Sequence, residues 1–368
     1  MEKYDVYQWL NSTHRAFESL SSQELQILFA MSQDKWCVRK TAVLSQRLCL
    51  AKSTVNYHLR RLEALSNPLT TAIPCTPKIG LARYALYLEP LKPVDELLDT
   101  IGSKPFLQSL TASTDSHIVA TFAVPTTQAS WLFSFLDYLE INGAVRKPTA
   151  YLVDDTTPVF PDPKWYSAYL KTWKSGLDGF LEDVTKLEDW VRTRMDYSTV
   201  TIPDRLDLEI IQQLELNGRV SLIRIASKIG VTLSCASRRV SRVLEGGLIG
   251  RFTIRVLPFS LNQSDLFDTR ILLVKNSHKE PLTKKISSHP FILSVCHGIT
   301  TPLVIIRAQV PWWGRLHYLR LLERLVEAGL ARSVKNECII PSTIRNFTIC
   351  PKFFMDNEWK TPTVLPRK

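Results

Sequence analysis

The segment SCASRRVSRVLEGG, residues 234–247, places three arginines among small, hydroxyl-bearing and apolar residues. An arginine guanidinium donates paired hydrogen bonds in a fixed plane, which suits guanine edges and phosphate oxygens. At about 100° per residue, Arg238 and Arg242 lie opposite the apolar position Val240, and Arg239 lies at the edge of the apolar face. The spacing predicts a helix that presents two arginines, one turn apart, to a polyanion.

The basic character extends beyond this helix. Residues 219–255 contain eight basic side chains and one acidic side chain, Glu245. Arg251 and Arg255 are predicted on a strand that follows the helix, on one side of that strand, where they would contact flanking phosphates. The candidate contacts of this segment with a nucleic acid are Ser234, Arg238, Arg239, Ser241, Arg242, Arg251 and Arg255.

A second basic helix is predicted earlier in the chain, in STVNYHLRRLEAL, residues 53–65. Residues 35–62 contain seven basic side chains and no acidic one. The turn before this helix has Cys49 where the later segment has Gly230, and Ala51 stands at the N-cap position where the later segment has Thr232. The candidate contacts here are Lys52, Ser53, Thr54, Tyr57, Arg60 and Arg61.

The two basic helices belong to two copies of one unit. Residues 44–55 align without a gap with residues 225–236, and KPFL at 104–107 matches HPFI at 289–292. The order and spacing of the predicted elements agree throughout, although identity is low. We therefore interpret the chain as two copies of a unit of about 140 residues joined by a linker.

Local signals place each basic helix in a helix-turn-helix. Apolar residues recur at helical spacing from Leu208 to Ile229, Gly230 permits a tight turn, and Thr232 can cap the next helix. That helix is predicted over 233–245 and ends at two glycines. The alternating segment 248–258 then predicts a small two-stranded wing within the module.

The rest of each unit alternates in the order strand, helix, strand, strand, helix, strand, which is typical of a ferredoxin-like fold. Between the copies, apolar residues repeat at helical spacing from 166 to 191 and predict an amphipathic linker helix. The chain is accordingly predicted to be of the α+β class.

Composition narrows the possible functions. Of the net charge of +11, residues 206–368 contribute +12, so a polyanion is expected to bind mainly to the second half. The seven cysteines show no CxxC spacing, and no stretch is apolar enough to span a membrane. We predict a cytoplasmic protein without a metal site, a cofactor or a membrane contact.

At this level of detail both units resemble the leucine-responsive regulator/AsnC family of archaeal and bacterial transcription regulators. The residues that carry the resemblance are NGRVSLIRIASKIGVTLSCASRRVSRVLEGGLIGRFTIRVLP at 217–258, the helix STVNYHLRRLEAL, and His289-Pro290. The resemblance implies a winged helix-turn-helix followed by a ferredoxin-like domain of the RAM/ACT-like type, twice in one chain, and double-stranded DNA as the partner.

The predicted organisation follows from the repeat and the resemblance. It consists of an N-terminal helical extension at 1–20, winged helix-turn-helix domains at 21–75 and 204–260, ferredoxin-like domains at 80–155 and 266–350, a helical linker at 156–203, and a C-terminal tail at 351–368.

Two departures from the family pattern modify the functional expectation. The family's effector turn has a glycine that the corresponding segments 113–117 and 299–303 lack, so a small-molecule effector at that turn is doubtful. The duplication would make the family's dimer covalent, with Tyr57 in place of Arg238 and Arg60 in place of Ser241. We expect an asymmetric operator, and further homodimerisation through the ferredoxin-like domains stays open.

Two alternatives remain. Fused domains of this kind also resemble the siroheme decarboxylases of haem synthesis, for which the conceivable substrate-binding residues are His117, His297, Arg307 and His317. An adaptor that contacts the transcription machinery through the linker helix is compatible with DNA binding. The basic residues on both predicted recognition helices favour a regulator over an enzyme.

Overall fold

The computed structural model describes residues 20–65, 69–167, 172–173, 203–255 and 257–362. Residues 1–19 of the predicted N-terminal extension and most of the predicted linker helix lie outside these ranges. The helical part of the first unit has the elements α1 Ser22–Gln33, α2 Lys35–Arg39, α3 Thr41–Leu48 and α4 Lys52–Leu65, followed by the strand β1 Thr70–Pro74.

The first ferredoxin-like domain follows directly, in the predicted order. Its elements are β2 Leu81–Pro90, α5 Val94–Gly102, β3 Leu107–Ala112, β4 Ile118–Pro125, α6 Ser130–Ile141 and β5 Val145–Val153. The short strands of the connecting segment are β6 Thr157–Pro158, β7 Tyr166–Ser167 and β8 Thr172–Trp173.

The second unit repeats this arrangement. Its helix-turn-helix elements are α7 Arg205–Leu216, α8 Leu222–Ile229, α9 Leu233–Glu245 and the strand β9 Ile249–Ile254. Its ferredoxin-like elements are β10 Ser264–Leu273, α10 Lys279–Ile286, β11 Ile292–His297, β12 Leu303–Pro311, α11 Arg315–Glu327 and β13 Ala331–Ile339. The final short strands are β14 Arg345–Asn346, β15 Phe354–Met355 and β16 Glu358–Trp359. The α+β class and the tandem domain types are confirmed.

The wing differs from the prediction. Strand β9 pairs antiparallel with β1 of the first unit, from Thr70 opposite Ile254 to Pro74 opposite Ile249. The predicted two-stranded wing inside the second module is therefore wrong, because each module supplies one strand of a shared ribbon. Alternation along a strand indicates its faces but carries no information about its partner.

The two ferredoxin-like sheets exchange short strands. The first has the strand order β14-β3-β4-β2-β5, and the second has the order β13-β10-β12-β11-β6. Each edge strand comes from the segment that follows the other domain, so each copy completes the sheet of its partner copy. The C-terminal segment also returns to the first unit, where the Trp359 Nε1–H donates to the carbonyl of Ile79 at 2.6 Å.

The contacts between the copies occur in reciprocal pairs. Bridges join Val153 to Gly298 and Ile339 to Ser113, and these two contacts exchange the roles of the two copies. Such reciprocity is the signature of a two-fold, self-complementary interface. The copies thus pack about a pseudo-two-fold axis within one chain.

The facing sheets bury an apolar cluster that includes Tyr87, Val119 and Ile305. Between the ribbon and these sheets lies a space of about 370 Å³, called the central cavity below. Its lining comes from β1, β9, both sheets and α7.

The connecting segment is not helical where the structure describes it. Thr157–Pro158 adds to the edge of the second sheet, and Tyr166–Ser167 pairs with Thr172–Trp173. The helix predicted from residue 166 therefore does not begin there. Residues 168–171 and 174–202 of the predicted linker helix lie outside the described residues, so its adaptor role stays a prediction.

Candidate nucleic-acid interface

The second recognition helix, α9, has the predicted bounds and caps. The Thr232 side chain accepts a hydrogen bond from the Cys235 N–H, and Gly230 closes the preceding helix in the left-handed conformation with φ 71°. Ala236 and Val240 are buried on its inner face. These features fix the helix against α7 and α8 and leave its opposite face toward solvent.

A buried carboxylate anchors α9 to α7. Asp204 and Asp207 form a capping box at the start of α7, and Asp207 is fully buried. Arg239 donates to both carboxylates, at 3.0 Å to Asp207, and the Arg242 guanidinium lies 3.4 Å from Asp207. The hydrogen bond to Asp204 is the main cause that raises the pKa of Arg239.

The pKa of the Asp204 carboxyl shifts in the opposite direction. Burial disfavours its charged form, but the hydrogen bonds from Arg239 and from the Asp207 N–H outweigh that effect and lower its pKa. We call Asp207, Arg239 and Arg242 the second anchoring cluster, because they tie the recognition helix to the first helix of its module.

The first module has the same arrangement with different residues. Ser21 and Glu24 form its capping box, and the fully buried Glu24 accepts from Arg61 at 3.0 Å. His58 Nδ1 lies 3.3 Å from the same carboxylate. We call Glu24, His58 and Arg61 the first anchoring cluster.

These clusters divide the predicted contact residues into two groups. Arg61, Arg239 and Arg242 take part in anchoring, whereas Arg60 and Arg238 are exposed and have no hydrogen bond or ion pair with any described residue. The remaining exposed predicted residues on the two helices are Lys52, Ser53, Tyr57 and Ser234, and Thr54 and Ser241 are half-buried. No observation tests which of these side chains contact DNA, so the contact list stays a prediction.

Arg251 and Arg255, the two arginines predicted on the wing strand, contact other parts of the chain. Arg251 donates to the Thr157 side chain of the connecting segment. The Arg255 N–H donates to the carbonyl of Leu69 at 2.8 Å, and Arg255 is one of the residues that line the central cavity. Pairing of β9 with β1 turns these residues toward the rest of the chain, and the sequence contained no signal for this placement.

Several basic residues of both modules join the modules to each other. Arg39 donates to the carbonyls of Gly218 at 2.9 Å and Val220 at 2.8 Å. Arg219 donates in the other direction, to Glu63 and to the carbonyl of Val38 at 2.7 Å. Burial and then repulsion by Arg219 lower the pKa of Arg39 to about 10. Part of the basic density seen in the sequence is thus structural.

Two of the three histidines considered for an enzyme bind a carboxylate of the other copy. His117 Nδ1 lies 2.9 Å from Glu337, and His297 Nδ1 lies 3.0 Å from Asp154. Arg307 donates to Asp268 at 2.8 Å, and His317 is half-buried on α11. Of these four residues, Arg307 lines the central cavity.

Within the described ranges, no three His, Cys, Asp or Glu side chains cluster in a way that could hold a metal ion. In the same part of the chain, no helix has the length and apolar character needed to cross a membrane.

Residues 203–249, which contain α7, α8 and α9, match the family model described as winged helix-turn-helix DNA-binding. Sequence and fold together define a winged helix-turn-helix domain in the second unit. A ferredoxin-like domain follows this domain, and the first unit has the same order of domains.

Two curated relatives are uncharacterized HTH-type transcriptional regulators. The one from Pyrococcus abyssi is 29% identical over 84 residues, which are 23% of this chain and 54% of that protein. The one from Pyrococcus horikoshii is 26% identical over 153 residues, which are 40% of this chain and 97% of that protein. The chain spans about half the length of the first curated relatives it matches.

A solved structure extends the comparison to nearly the whole chain. The siroheme decarboxylase NirDL is similar over 91% of this chain and 95% of its own, with a TM-score of 0.54 and 11% sequence identity. At this identity the similarity shows a shared tandem fold.

Proposed function

We propose that the chain is a sequence-specific transcription regulator that binds double-stranded DNA as a covalent pseudo-dimer. In this proposal α4 and α9 are two non-identical recognition helices that enter the major groove. The observation that carries it is the pairing of two helix-turn-helix modules about a pseudo-two-fold axis. Each module has an exposed arginine on its recognition helix, Arg60 on α4 and Arg238 on α9.

The shared ribbon supports the covalent pseudo-dimer. Strands β1 and β9 pair within the chain, and Arg39 and Arg219 bridge the two modules reciprocally. One chain therefore holds both recognition helices together without a concentration-dependent association step. Tyr57 and Arg60 on α4 differ from Arg238 and Ser241 on α9. Different side chains at equivalent positions favour two different half-sites.

Selection of bound sites from random duplex DNA tests the proposal. The wild-type chain is expected to return an asymmetric site, and Arg238→Ala is expected to relax specificity in one half-site at a cost of about 1–3 kcal/mol. Arg320→Ala, which removes an exposed charge from α11, serves as the control and leaves the selected site unchanged. No measurable duplex affinity at moderate salt would refute the regulator, and a strict palindrome would refute the asymmetry.

A second candidate function is decarboxylation of a tetrapyrrole, as in the siroheme decarboxylases. The tandem fold shared with NirDL over most of the chain and the arginines at the central cavity favour it. Against it, no described histidine lines that cavity. A visible absorbance band of a bound tetrapyrrole in the purified protein, or one developing on titration with iron-uroporphyrin III, would support the enzyme.

Further pairing of whole chains through the ferredoxin-like domains belongs to the same proposal. The inner sheet faces already contact each other within the chain, which leaves the helix-covered outer faces for a homodimer. The outer face of the second domain exposes Trp312, Trp313 and Leu316. Sedimentation of the wild type beside Trp313→Ser tests this contact.

A further inference from the structure

The central cavity has the size and position of a ligand site. Its volume of about 370 Å³ falls within the range of about 300–1,000 Å³ that is typical of small-molecule pockets. Its walls come from the ribbon shared by the two winged modules and from the facing sheets of both ferredoxin-like domains. It is separate from the turn segments 113–117 and 299–303.

The cavity carries an excess of positive charge. Arg83, Arg255 and Arg307 line it, against the carboxyl groups of Asp268 and Glu215. Asp268 is already occupied, since it accepts from Arg307 and from the Tyr87 hydroxyl at 2.8 Å each.

The second carboxyl contributes little negative charge at neutral pH. Burial raises the pKa of Glu215 to about 8, although its carboxyl accepts from the Ile349 N–H at 2.9 Å. Asp155 also interacts with Arg83 but lies outside the lining, where the Thr76 N–H and hydroxyl both donate to it. The charges therefore favour an anion beside Arg83.

Arg83 has an unused donor at this position. Its Nε–H is buried and has no acceptor among the described residues. A buried donor without a partner costs on the order of 1–3 kcal/mol, and more when it belongs to a charged group. Arg83 also lines the cavity, and a carboxylate that enters it matches the planar guanidinium with two oxygens.

The remaining lining is largely apolar. Val119, Leu257, Leu266, Ile305 and Ile344 line the space together with the arginines. A ligand that fills it must combine one anionic group with an apolar body, which excludes a small inorganic oxyanion as the best fit. We propose that the central cavity binds a small organic monocarboxylate, with its carboxylate on Arg83 and its apolar part between the two sheets.

Calorimetric titration of the full chain, without DNA, tests this site independently of the proposed function. The probes are phenylacetate and 4-methylpentanoate, with phenylacetamide as the neutral analogue and inorganic phosphate as the anion without an apolar body. We expect both carboxylates to bind, and phenylacetamide and phosphate to bind at least tenfold more weakly.

Variants locate the site. Arg83→Gln is expected to weaken phenylacetate binding at least tenfold, and Arg83→Lys, which keeps the charge but loses the Nε–H, is expected to weaken it less. Arg146→Gln, at an exposed arginine on β5 that pairs with Glu89, leaves binding unchanged. The proposal is overturned if neither carboxylate binds at millimolar concentration, if phenylacetamide or phosphate binds equally well, or if both Arg83 variants bind like the wild type.

Discussion

The two winged modules anchor their recognition helices with the same arrangement of charges but with different residues. In the first, Glu24 holds Arg61 and lies beside His58, and in the second, Asp207 holds Arg239 and Arg242. In both, the carboxylate is the third residue of the first helix and completes its capping box. The comparison teaches that three of the six basic residues predicted as DNA contacts on the two recognition helices bind a carboxylate of their own module.

Removing the buried carboxylate of either anchoring cluster is expected to cause the largest loss of stability. Asp207→Ala removes a buried carboxylate from two arginines and is expected to lower the free energy of unfolding by about 3 kcal/mol. Glu24→Ala is expected to cost about 2 kcal/mol, because Arg61 is more exposed than Arg239, with side-chain exposures of 40% and 18%.

Urea unfolding curves measure both losses. Glu209→Ala removes the partner of Arg205 on the outer side of the same helix and serves as the control, with a change below about 0.5 kcal/mol. Losses for Asp207→Ala and Glu24→Ala no larger than this control would contradict the anchoring role.

The stability of the two modules is expected to depend differently on pH, because only the second module contains Glu215. The equivalent position of the first module is Ser32, so the second module alone carries a carboxyl group at this position. Because burial raises its pKa to about 8, the folded chain keeps the proton while the unfolded chain loses it above about pH 4.5. The contribution of Glu215 to stability is therefore fully present below that value, falls between about pH 4.5 and 8, and then levels off.

Glu215→Gln removes this titration and keeps an acceptor for the Ile349 N–H. We expect it to be more stable than the wild type at pH 9 by about 2 kcal/mol, with a smaller difference at pH 5. Denaturation at both pH values measures the change, and Glu209→Gln, at a half-buried glutamate of the same helix that pairs with Arg205, is the control. A difference that does not depend on pH would show that Glu215 has an ordinary pKa.

Neighbouring arginines on one helix distinguish anchoring from DNA contact. Arg60→Ala is expected to weaken duplex binding by about 1–2 kcal/mol without changing the unfolding midpoint, since Arg60 has no partner among the described residues. Arg61→Ala is expected to lower the midpoint instead. Fluorescence anisotropy on the selected site and urea unfolding provide the two readouts, and an Arg60 variant with unchanged affinity would remove Arg60 from the predicted DNA contacts.

The sequence predicted the local elements more closely than their partners. The bounds 233–245, the Thr232 cap and the order of both ferredoxin-like domains follow from signals within a few residues. The pairing of β1 with β9 and the exchange of β6 and β14 depend on contacts between residues far apart in the chain. Strand patterns specify which face is apolar, and they do not specify which distant strand completes a sheet.

The candidate site shows the same limit. A helical wheel places Arg238 and Arg242 on one face, but it cannot show that Asp207 binds Arg242 from another helix. One signal was available: capping boxes begin at Ser21 and Asp204, 183 residues apart, ahead of both basic helices. A carboxylate at an equivalent position in both repeats indicates a shared structural partner.

The turns before the recognition helices give the smallest expected effect. Cys49 and Gly230 both adopt the left-handed conformation, with φ values of 53° and 71°. A side chain at such a position costs about 1–2 kcal/mol, partly offset by the greater freedom of glycine in the unfolded chain. Cys49→Gly is therefore expected to stabilise the protein by about 0.5–1 kcal/mol, and Gly230→Ala to destabilise it by about 1 kcal/mol.

Thermal unfolding measures both changes, and Cys49→Ala, which keeps the strained conformation, is expected to bring no gain. If Cys49→Ala stabilises as much as Cys49→Gly, then the thiol rather than the backbone distinguishes the two turns.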